Sequence, residues 1–159
     1  EFVEAEFRLP VPPAEVRKKL PPFLPRGISV GEARQVPPGA PRISDFDLSC
    51  CYAILPVLPR RMPEEITPER VEEAWQAFRA SREFPMTVEK EGSRSEIDLK
   101  ALVTNFLVNG EGFFITIVHG TGKGARPLDA AGTILGTSLS PDRFSAKKLS
   151  AELIPRRKR

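Results

Sequence analysis

From Phe2 to Leu9 apolar and polar positions alternate, with Val3, Ala5, Phe7 and Leu9 on one face and Glu4, Glu6 and Arg8 on the other. Phe2 is the exception on the polar face. A period of two predicts a strand. Pro12-Pro13 then pre-set a helix start, Val16 and Leu20 with the charges between them give a short amphipathic turn or two, and Pro21-Pro22 end it. Ile28, Val30 and Val36 predict a second strand, broken by Pro37-Pro38-Gly39-Ala40-Pro41. Such a cluster cannot continue a central strand, so a domain boundary is expected near residues 37–45.

The rest of the chain reads more densely. Leu48–Leu58 is an apolar strand with prolines near its end. Thr67-Pro68-Glu69 gives an N-cap, a proline at the first helical position and an acidic first turn. Val71, Ala74, Trp75 and Phe78 follow at helical spacing, which makes Trp75 a core residue before it is a platform for stacking bases. Met86–Glu91 and Arg94–Leu99 flank a turn at Gly92, and Asn105–Val108 and Phe113–Val118 flank the turn signal Asn109-Gly110-Glu111-Gly112. Leu128, Ala131, Ile134 and Leu135 predict a helix ended by Gly136, and Phe144–Ile154 a last strand.

Residues 43–154 therefore read strand, helix, two or more strands, helix, strand. That order predicts an α+β ferredoxin-like sandwich with inserted hairpins, followed by a basic tail at 155–159. Residues 1–42 read strand, helix, strand, a partial N-terminal ferredoxin-like half that would leave a sheet edge unpaired. Either it pairs with the second half, or the natural protein continues upstream.

Charge changes this picture little. The net charge of +3 is smaller than the four positive charges of Arg156-Arg157-Lys158-Arg159, so the body is slightly acidic and the basic signal is mostly a tail. Such a tail binds RNA, acidic proteins or anionic lipid, or is simply a solvated end. No apolar run approaches the roughly 20 residues of a membrane span. The acidic opening Glu1-Phe2-Val3-Glu4 lacks the basic-then-apolar order of a secretory leader, so a cytoplasmic protein is expected. Cys50 and Cys51 are adjacent and point to opposite faces of a strand. With no other cysteine, neither an all-cysteine zinc site nor a protein-ligated iron–sulfur cluster can be built, and no cofactor is expected.

The stretch His119-Gly120-Thr121-Gly122-Lys123-Gly124-Ala125-Arg126-Pro127 has the glycines and cations of a phosphate loop. A nucleotide-binding loop would need glycine at Ile117 and a hydroxyl at Gly124, and has neither. The segment still joins a strand to a helix starting at Pro127, so free N–H groups and the cations Lys123 and Arg126 are expected to meet an anion there. The bland alternative is a crossover loop in which Arg126 fixes Asp129 or Glu111. His119 has no second histidine and no nucleophile at motif spacing, and reads as a satisfied or surface residue. Glu89, Glu91, Glu96 and Asp98 alternate with Lys90 and Arg94, the pattern of a solvated, salt-laced face. Lys147, Lys148, Arg156 and Arg157 complete the candidate anion or RNA contacts. With Lys90, Arg94, Lys100 and Arg143 they form one stripe if the sheet brings them together, beside whichever of Phe113 and Phe114 is exposed.

Three runs, LPRGISVGEARQVPPGAP (24–41), REFPMTVEKEGSRSEIDLKALV (82–103) and GKGARPLDAAGTILG (122–136), resemble the radical-SAM-linked family of bacterial proteins of unknown function. Its members are fused to, or encoded beside, cobalamin-binding radical SAM proteins. The resemblance covers most of residues 1–150 and includes no catalytic motif. Typical members begin about half a domain earlier, which would complete the partial first unit. The last strand departs from the family as well, with Ala146-Lys147-Lys148 where an arginine-threonine pair is usual. The resemblance implies a non-catalytic accessory or substrate-recognition module, not an enzyme, with a radical SAM protein as partner; the cations add tRNA or other RNA as the expected substrate. The alternative is a protein-interaction scaffold that binds no nucleic acid.

Overall fold

Prolines shape the beginning of the chain and buried aromatics the rest. The computed structural model describes residues 2–57, 62–64, 66–90, 92–109, 112–120 and 124–156, without the side chains of Lys90 and Asn109. It divides into two compact units, Glu1–Asp45 and Phe46–Arg159. In the first unit, helix α1 (Pro13–Lys19) starts on a proline and carries a Glu15–Lys19 ion pair of 2.9 Å one turn apart. A 3-10 turn follows at Pro21–Phe23, and the Glu4 carboxylate accepts a 3.0 Å hydrogen bond from the Ile43 N–H.

Neither strand expected in this unit forms: residues 2–9 and 28–36 are irregular chain. Alternation supplies a strand with a face, but a ladder also needs the edge of a neighbour, and no described segment of the unit offers one. The strand-helix-strand half unit is corrected to a helix flanked by irregular chain.

The second unit contains β1 (Phe46–Pro56), α2 (Pro68–Ala80), β2 (Pro85–Lys90), β3 (Ser93–Asp98), β4 (Val103–Asn109), β5 (Gly112–His119), α3 (Pro127–Leu135) and β6 (Phe144–Pro155). Four strands form one antiparallel sheet in the order β4-β5-β1-β6, and β2 and β3 form a separate hairpin turning at Gly92, whose φ is 77°. The class is α+β. Thr67 caps α2 by accepting from the Arg70 N–H at 3.3 Å, and Gly136 ends α3 in the left-handed conformation, φ 65°.

Period-two alternation places Phe113, Ile115 and Ile117 of β5 in the core, and Phe114, Thr116 and Val118 half-buried on the other face. Over the first face lie Val71 and Phe78 of α2 and Ala130, Ala131, Ile134 and Leu135 of α3. Trp75 is part of this packing, stacked on Phe78 at 5.2 Å and tilted against Phe106 at 6.2 Å. Among the described residues no helix is long and apolar enough to cross a membrane.

Candidate functional site

At its C-terminal end β5 runs past the helical cover. His119, opposite Leu48 of β1, shares the face of Ile115 and Ile117 but is only half-buried. Tyr52 of β1 stands on the same face, between Ile115 of β5 and Lys148 of β6. Its hydroxyl lies 3.1 Å from His119 Nε2, with the rings edge-on and centroids 6.0 Å apart. Burial, reinforced by hydrogen bonding and charge repulsion from the Cys50 thiol, pushes the Tyr52 phenol up to about 12. Burial, then the Lys148 ammonium, lowers His119 below its ordinary value. Both shifts favour the neutral forms. Between two neutral groups the contact holds one proton, and the imidazole tautomer sets which of the two donates it.

Gly124 lies beside this pair: a side chain in its place would stand 3.4 Å from His119 Nδ1. Two residues on, Arg126 is the N-cap of α3, with extended backbone and no side-chain capping bond. It borders an open cleft of about 450 Å3 with Pro127, Asp129, Phe144, Ser145 and Ala146. Lys148 lies two residues beyond Ala146 on the same face of β6, within about 7 Å along the strand. Both cations are exposed, and neither forms an ion pair among the described residues. Asp129 occupies the first turn of α3 and offsets the positive end of the helix, so an anion here would be drawn by the two side chains more than by the helix. Among the described residues no group of three or more histidine, cysteine, aspartate or glutamate side chains is placed to hold a metal.

Residues 1–127 match the profile of a family described as an uncharacterized protein conserved in bacteria (DUF2344). The chain belongs to this family. No curated protein and no solved structure matches it. The DUF2344 match takes in Tyr52, His119 and Arg126 and stops before Lys148, so the site joins a part the family profile covers to a strand beyond it.

Of the six cations expected as contacts, Lys123 and Arg157 lie outside the described residues. Arg126 and Lys148 are brought to one side of the sheet. Lys147, opposite Ala53, projects from the other face. Arg156 is tied down, its Nε 3.2 Å from an Asp47 carboxylate oxygen and its Nη2 donating to the Phe46 carbonyl. Lys100, expected in the stripe, folds back instead: its Nζ donates at 3.0 Å to the carbonyls of both Phe78 and Arg79 and sits 4.8 Å from the centre of the Phe78 ring. It caps the end of α2. Phe113 is buried and Phe114 half-exposed on the face opposite Arg126 and Lys148. Sequence reasoning missed Tyr52 and Cys50 as the surroundings of His119, because only the β1–β5 register brings residues 67 positions apart together.

Proposed function

We propose that this DUF2344 chain is a non-catalytic recognition module that grips an anionic partner, RNA on our reading, on behalf of a cobalamin-dependent radical SAM enzyme. The observation that carries the reading is that Arg126 at the cleft and Lys148, two residues along β6 from the cleft residue Ala146, are both exposed and free of ion pairs among the described residues. Phosphates are recognised by such cations, and an open cleft admits a strand of nucleic acid where a small substrate would leave a closed pocket. The phenol contact engages Nε2 of His119, which suits a packing residue between β1 and Gly124 better than a general base. The radical SAM association rests on the resemblance of residues 24–41, 82–103 and 122–136. The proposal includes a ferredoxin-like sandwich for residues 43–154. The strand order β4-β5-β1-β6, with a helix in each of the crossovers β1 to β4 and β5 to β6, supports it.

Binding of tRNA and of single-stranded RNA, followed by fluorescence anisotropy over a salt series, tests the reading. The Arg126→Ala/Lys148→Ala double variant is expected to weaken binding about tenfold or more and to flatten the salt dependence by about two phosphate contacts. Retained affinity in that variant, with loss on deleting residues 156–159, would move the contact to the tail. No binding at low salt would reject RNA in favour of the scaffold reading.

A further inference from the structure

β6 is an outer strand: among the described residues only β1 pairs with it, and Ser145–Ser150 are exposed. Its outward N–H and C=O groups form a row as long as the strand, Phe144–Pro155. Two features of this edge repel a generic strand, the lysines Lys147 and Lys148 and a bulge. The register fixes the bulge. Tyr52 faces Lys148 and Cys51 faces Ser150, which leaves Leu149 as the extra residue, 51% exposed.

We propose that a second copy of this chain pairs with this edge, β6 against β6 about a two-fold axis between Leu149 and Ser150. The register sets Lys147 of each copy opposite Glu152 of the other. In a two-fold antiparallel pair, facing residues must orient their peptide groups alike relative to the seam. An uninterrupted strand forbids this for residues five apart, because orientation alternates along the chain. The bulge removes the conflict. Lys147 faces Ala53 and Glu152 faces Ser49, and those two positions are four apart on the unbroken β1, so Lys147 and Glu152 point the same way. The same register sets Ala146 opposite Leu153 and Ser145 opposite Ile154, and brings the two exposed Leu149 side chains to the axis. What deters other strands is thus matched by a copy carrying the same bulge and a carboxylate at the right place. Lys147 and Glu152 are both exposed and face uncharged residues within their own sheet.

Sedimentation velocity of the full chain across a concentration series at low salt tests this, with circular dichroism confirming that each variant folds. The wild type is expected to dimerise. Lys147→Glu and Glu152→Lys each place two like-charge pairs at the seam and are expected to weaken association roughly tenfold or more. The double reversal Lys147→Glu/Glu152→Lys restores opposite charges and is expected to recover wild-type association to within about threefold. A wild type that stays monomeric at the highest concentration overturns the proposal, as do unaffected single variants or a double variant no better than the singles.

Discussion

Tyr52 and His119 are the chain's single tyrosine and single histidine, so each reports alone in a titration. The phenol is partly buried beside Cys50 and hydrogen-bonded to His119; the imidazole is desolvated and repelled by Lys148. Ultraviolet titration of the folded chain is expected to show tyrosinate appearing with a midpoint near 12, against about 10 once denaturant unfolds it. The unfolded phenol ionises first, so the pair's contribution to stability is complete below pH 10 and is lost as pH rises from 10 towards 12. His119 works at the other end. Its folded value lies below 6.5, so the unfolded chain takes up a proton first and stability falls as pH drops below 6.5. The His119 resonances, followed by NMR, should titrate below 6.5, and Lys148→Ala should move them part of the way back, burial being the larger cause. A tyrosinate midpoint near 10 in the folded chain would mean that the phenol is not desolvated.

At the scale of elements, β5 begins in tight contact with β1. Gly112, the first residue of β5, leaves no room for a side chain: a Cβ there would be driven into the Ile54 carbonyl oxygen and against the Leu55 side chain. Both are held in β1 by pairing with β6, so Gly112→Ala is expected to cost about 1–3 kcal/mol, read as a lower urea midpoint at unchanged slope. Gly31→Ala, where nothing stands within 4 Å, is the control and should leave the midpoint in place. The sequence contains the turn signal at 109–112 but not this demand, which belongs to a neighbour more than fifty positions away. The same division runs through the fold. Helices α2 and α3 were legible because their signals are local: Thr67-Pro68 before one, Pro127 and Gly136 around the other. The strands of the second unit were legible from the apolar run at Leu48–Leu58 and from the turn signals at Gly92 and at 109–112. The two strands expected in the first unit had comparable patterns and failed for want of a partner edge, which no periodicity reports. At the site, Arg126 could be found by its place before a helix-starting proline. The stripe of cations could not be judged from spacing alone: Lys147 and Lys148 are adjacent in the chain but lie on opposite faces, and Lys100 and Arg156 are committed to carbonyls and a carboxylate.

At the scale of the molecule, the apolar core belongs to one unit. Among the described residues every buried hydrophobic side chain lies between Cys50 and Phe144, and none of Glu1–Asp45 is buried. The first unit exposes Val3, Leu9 and Phe23 to 88%, 76% and 82%, so little of its apolar surface is removed from water. Burial is the main favourable term in folding, and a chain the length of Phe46–Arg159 can bury enough surface to fold alone. A fragment starting at Arg42, which keeps the turn in which the Asp45 carboxylate accepts from the Arg42 N–H, is therefore expected to unfold in one cooperative transition. Its stability should lie within about 1 kcal/mol of the full chain. The slope against urea should be nearly unchanged, because slope scales with the surface exposed on unfolding and the first unit adds little of it. Amide hydrogen exchange of the full chain gives the matching readout: fast throughout residues 2–41, and slowest in β1 and β5, the two inner strands of the sheet. A fragment that unfolds with a clearly smaller slope, or protection in residues 2–41 approaching that of β5, would show that the first unit shares in the cooperative core.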